Sequence, residues 1–120
     1  MRKTKGIILI LILLSITAAV CHTPLKAELD FDLKTGILKV TFTHKVRDAK
    51  QHFVYQAVVK VNKQVLIEQT MEQQDDTNGG SLVYKLPGVK PGDTITVSLS
   101  CNKGGTKTTI LEITENEKTD

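Results

Sequence analysis

The sequence predicts an all-β domain, a sandwich of about seven antiparallel strands. Three observations predict it. Apolar and polar residues alternate over most of residues 28–114, and no stretch shows the three-to-four-residue spacing of a helix. Gly, Pro, Asn and Asp interrupt the alternation at short intervals. The alternating segments are rich in Val, Ile and Thr, whose branched side chains suit a pleated, half-buried surface.

The N-terminus stands apart. Arg2, Lys3 and Lys5 precede an uncharged apolar run from Gly6 to Leu14, and the small residues Ser15, Thr17, Ala18 and Ala19 follow. This is the pattern of a secretory signal peptide. Together with the residues that follow, through Val20, the uncharged stretch is about 15 residues, short of the ~20 that a spanning helix needs. The expected domain plan is a signal peptide over 1–27, cut after Ala27, a sandwich over 28–114 and a solvated tail over 115–120. The protein is thus expected to be exported, to a periplasmic location. Cys21 offers an alternative, a lipoprotein cut just before it and held to the membrane through lipid on that residue. Ala18 and Val20 stand where that pattern favours Leu and a small residue. A disulfide between Cys21 and Cys101 is a third arrangement, open only if Cys21 survives processing in an oxidising compartment.

Charge follows the same division. Lys and Arg number 16 against 13 Asp and Glu, a net charge of +3. Four of the basic residues and none of the acidic ones precede residue 28, so the remainder carries 12 against 13, a net charge of −1. The basic excess belongs to the targeting segment, and no nucleic-acid footprint is expected.

The elements follow in order. Leu29, Phe31 and Leu33 alternate through Glu28–Lys34, and Thr35-Gly36 turns the chain. Leu38, Val40 and Phe42 share the next face, followed by a polar stretch over 45–51. Phe53, Tyr55, Ala57, Val59 and Val61 form the third stripe, and Asn62-Lys63 turns into Val65-Leu66-Ile67. A polar loop over 72–80 leads to Leu82, Tyr84 and Leu86, and the Pro- and Gly-rich stretch 87–93 follows. Ile95, Val97 and Leu99 alternate up to Cys101; after 102–105, Thr109, Leu111 and Ile113 complete the pattern. Two antiparallel sheets of immunoglobulin-like type close such a set of strands. With no Trp and, past residue 27, no second cysteine, the chain lacks the marks of an antibody domain.

Strand parity places the unusual side chains. In an antiparallel order the second strand ends at His44, the third begins at His52 and the sixth ends at Cys101, all at one pole, with the loop 72–80 beside them. His44 continues the Leu38-Val40-Phe42 face and Cys101 the Ile95-Val97-Leu99 face, so both should point inward. His52 precedes Phe53, so its parity is opposite to that stripe unless it swings in from the loop. Two imidazoles and a thiolate suit iron, zinc or copper, and Met71 would complete a His₂Cys-plus-Met copper set. Equally, a cysteine on an apolar face serves as a small buried filler, and a histidine at a strand end as a hydrogen-bonding residue; both readings stay open. No nucleophilic triad is visible. Gly79-Gly80 and Gly104-Gly105 open no helix, so they do not cradle phosphate.

The segment QHFVYQAVVKVNKQVL and the stretch GVKPGDTITVSLSCNKGGTKT, within residues 37–113, resemble two related groups of immunoglobulin-like domains. One is the iron domain of superoxide reductase (desulfoferrodoxin); the other is the Z subunit of the sulfur-oxidation carrier complex. The first resemblance implies an iron centre of four histidines and one axial cysteine. Cys101 and Asn102 match that family's Cys-Asn, His44 and His52 match two histidines, and Gly104 stands where another should be. The second implies a metal-free scaffold for a Y subunit, with Asp where this chain has Cys101. The expectation is an exported, non-catalytic binding or carrier module without cofactor, whose partner is a Y-subunit-like or other envelope protein. The alternatives are a metal-binding redox protein with an incomplete site on His44, His52 and Cys101, and an envelope lipoprotein with an adhesive or assembly role.

Overall fold

A computed structural model describes residues 25–115. Expectations about residues 1–24, Cys21 among them, and about 116–120 lie outside the described residues. Seven strands are present: β1 (Lys26–Asp32), β2 (Ile37–Thr43), β3 (Val54–Val61), β4 (Gln64–Thr70), β5 (Gly79–Lys85), β6 (Thr94–Cys101) and β7 (Thr106–Glu112). They form two antiparallel sheets, β1-β2-β5 and β4-β3-β6-β7, the split expected of an immunoglobulin-like sandwich.

The core lies between the sheets. Phe31, Leu38, Val40 and Phe42 of the smaller sheet meet Ala57, Val59, Ile95, Val97 and Leu99 of the larger. Alternation on β2 and β6 holds along each strand, so their inward faces are those the sequence predicts. One side of the sandwich is narrowed where β1 approaches β7. On the other side Tyr84 Oη of β5 donates to Gln69 Oε1 of β4 at 2.7 Å.

Three features differ from expectation. The first is β3. Val54 is fully buried while Tyr55 is 38% exposed. Val54 pairs with Cys101 and Gln56 with Ser100, so Tyr55 is an extra residue on β3 with no partner on β6. Such a bulge exchanges the two faces of the strand on either side of it. Ala57 and Val59 point inward after it, and Val54 points inward before it, in place of Phe53 and Tyr55.

The second is the start of β1. The strand begins at Lys26, and the ladder includes Lys26 with Thr43 and Ala27 with Phe42. Leu25 and Ala27 pack against the core. The boundary after Ala27 therefore falls inside a paired strand. The third is Gly79-Gly80, which belongs to β5 rather than to the preceding loop. Gly79 has φ 143°, and a Cβ there would stand 2.1 Å from the Phe42 carbonyl oxygen. Only glycine lets β5 come this close to the end of β2.

Candidate metal centre

The loops β2–β3, β4–β5 and β6–β7 meet at one pole, and each carries part of the site. His44 follows β2 directly and is 1% exposed; Cys101 ends β6 and is 6% exposed. His52, at the end of the β2–β3 loop, is half-buried. It shares parity with Val54, so the bulge at Tyr55 explains why this side chain points in. The donor atoms of His44, His52 and Cys101 all lie within 4.8 Å of one another. His52 Nε2 and Cys101 Sγ are 3.1 Å apart, within hydrogen-bond distance. The two imidazoles meet edge to face, their centroids 4.8 Å apart.

Backbone bonds hold the loops in place. Asn102, next to Cys101, brackets His52. Its Oδ1 accepts the Phe53 N–H at 2.9 Å, its Nδ2 donates to the Gln51 carbonyl at 3.0 Å, and its own N–H donates to the Phe53 carbonyl at 3.0 Å. The His52 N–H donates to the Asp48 carbonyl at 3.0 Å. His44 is anchored through its N–H to the Asn78 carbonyl at 2.8 Å. The Lys103 N–H donates to Cys101 Sγ at 3.4 Å.

Gln74, in the β4–β5 loop and 2% exposed, lies behind His44. Its Oε1 is 2.9 Å from His44 Nδ1 and 3.3 Å from the Val54 nitrogen. Its Nε2 donates to the His44 and Asp76 carbonyls at 2.8 and 2.9 Å. The sequence does not single out this residue, one Gln among several in a polar loop. Burial alone marks it.

No family model matches the chain, and no curated protein matches it. The chemistry of the site is therefore argued from its geometry.

All three residues expected as ligands come together here. Met71, the further copper ligand considered, follows β4; its N–H donates to the Tyr55 carbonyl at 2.7 Å, and its half-buried side chain packs on the core. Donors about 2.0–2.3 Å from one ion stand roughly 3.3–3.8 Å apart in a tetrahedral arrangement. The pair at 3.1 Å is already that close, and the widest spacing of 4.8 Å needs a closure of about 1 Å, within reach of side-chain rotation. A mixed imidazole and thiolate set is chemistry that zinc and copper accept. The four-histidine iron centre of superoxide reductase does not fit, because among the described residues His44 and His52 are the only histidines.

Proposed function

We propose that this protein is an exported metal-binding module that holds one zinc or copper ion on His44, His52 and Cys101. A single observation carries the reading: three metal-ligating atoms, two from the β2–β3 loop and one from the end of β6, converge within 4.8 Å around a buried sulfur. A scaffold like the sulfur-oxidation Z subunit would need none of them, and that pattern has Asp in place of Cys101. An ion at this site would be bound by neutral imidazoles and a thiolate, so binding would release protons and weaken in acid. Copper would give the module an electron-transfer role, whereas zinc would give it a structural or Lewis-acid one.

The test is metal analysis of the full chain purified without oxygen, beside Cys101→Ser and His44→Ala. Near-stoichiometric zinc or copper in the wild type, lost in both variants while their folds persist, is the expected result. A wild type that binds neither metal, or variants that retain it, would return Cys101 to a packing role and the protein to the scaffold reading.

A further inference from the structure

We infer that Gln74 is the positioning residue of this centre, fixing His44 in the tautomer with its proton on Nδ1 so that Nε2 is the atom offered to the ion. The inference rests on the metal-binding proposal above, but its first step stands on hydrogen bonds alone.

The orientation of the Gln74 amide is set by three backbone groups of known polarity. The His44 and Asp76 carbonyls can only accept, so the end that meets them at 2.8 and 2.9 Å is the NH₂. The Val54 N–H can only donate, so the end that meets it at 3.3 Å is the oxygen. That oxygen also lies 2.9 Å from His44 Nδ1. An amide oxygen carries no proton, so Nδ1 must supply it. A neutral imidazole has one N–H, which leaves the lone pair on Nε2. Histidines that bind metals commonly donate their other N–H to a fixed acceptor, and loss of that acceptor costs about 10–100-fold in affinity.

Gln74 also fixes the place of the ring. Its four bonds tie the end of β2, the start of β3 and the β4–β5 loop to one buried side chain. The ring can neither flip about its Cβ–Cγ bond nor change tautomer without leaving a buried amide oxygen short of one donor, at a cost of about 1–3 kcal/mol.

Long-range ¹H–¹⁵N correlation on the full chain labelled in histidine reads the tautomer without any variant. The ion-free protein should show His44 protonated on Nδ1 and bare on Nε2. Addition of ¹¹³Cd should then produce metal–nitrogen coupling at His44 Nε2. In Gln74→Met, which keeps the bulk and removes the amide, cadmium affinity should fall about 10–100-fold, and the ion-free signal should become a mixture of tautomers. An Nε2–H tautomer in the ion-free wild type, coupling through Nδ1, or cadmium affinity in a folded Gln74→Met within twofold of wild type would each overturn the assignment. Should Gln74→Met fail to fold, the wild-type tautomer and coupling decide the matter. A wild type that binds no cadmium yet shows the Nδ1–H tautomer would overturn the metal reading, and with it the positioning role, while leaving the hydrogen-bond deduction in place.

Discussion

The two poles of the sandwich are each closed by a buried polar side chain, and they use it differently. At the pole away from the histidines the carboxylate of Asp93 spends itself on its neighbours. Its Oδ1 accepts from Asn62 Nδ2 at 2.8 Å and from Lys90 Nζ at 3.4 Å, and its Oδ2 accepts the Lys90 N–H at 3.0 Å. Asn62 Oδ1 in turn accepts the Thr94 N–H at 3.0 Å, which locks the tight β3–β4 turn, where Asn62 and Lys63 adopt φ 50° and 71°. At the loop pole Gln74 and Asn102 do the same work on the backbone, and His44, His52 and Cys101 are turned toward one another. One pole is a finished knot of hydrogen bonds. The other is a frame of hydrogen bonds around donors of the kind that bind metals. Buried polarity that satisfies backbone groups makes an anchor, and buried polarity that gathers lone pairs makes a site.

Backbone substitutions should separate the poles most sharply. Gly79→Ala drives a methyl into the Phe42 carbonyl beside His44 and should cost about 3 kcal/mol or more in urea unfolding. Gly88→Ala at the other pole has a positive φ but nothing within 4 Å of the new methyl, and should cost only about 1–2 kcal/mol. Equal losses at the two sites would erase the contrast.

Zinc or copper comes next. Free ion at a hundred times its Kd should stabilise the wild type by about 2.7 kcal/mol. Asn62→Ala should be less stable than wild type yet keep that increment, whereas Cys101→Ser should lose it. Thermal melts with and without the ion decide the point, and an increment that survives in Cys101→Ser would place the ion elsewhere.

The start of β1 lies at the loop pole too. Removal of residues 1–27 takes away Leu25 and the β1 pairings of Lys26 and Ala27, and should lower stability by about 2 kcal/mol relative to a chain cut before Cys21. The mass of the native protein should accordingly show residues 25–27 in place. Equal stability of the two forms would mean that these residues contribute nothing to the pole.

The smallest effect is in acid. The Asn62 amide and then the Lys90 N–H hold the Asp93 carboxyl below the usual carboxylate range, against the opposing effect of burial. A lowered folded-state pKa gives stability that is complete above about 3.9, the unfolded value, and is lost as pH falls through and below it. Asp93→Asn should flatten that part of the pH–stability curve, while Gln74→Met leaves it unchanged.

Parity made two of the three donors legible in the sequence. β2 and β6 run without interruption, so Leu38-Val40-Phe42 leads directly to His44 and Ile95-Val97-Leu99 to Cys101. β3 was legible as a strand but not in its facing. Phe53, Val54 and Tyr55 are all good strand residues, and nothing in their types says which is the extra one. The bulge therefore hid the inward turn of His52. Gln74 was hidden for a different reason, since its role lies in bonds to backbone groups of three separate segments. Lys26 and Ala27 read as the end of a leader because the small Ala27 closes Pro24-Leu25-Lys26-Ala27 as a cleavage site would, and the ladder to β2 that makes them a strand is a tertiary fact.

The most direct test of the central claim is X-ray absorption at the metal edge of the loaded full chain. The account predicts one sulfur neighbour at about 2.3 Å and two imidazole nitrogens at about 2.0–2.1 Å, with the sulfur lost in Cys101→Ser. A shell of oxygen and nitrogen alone would contradict it, and would leave the thiol beside His52 as packing at the rim of the core.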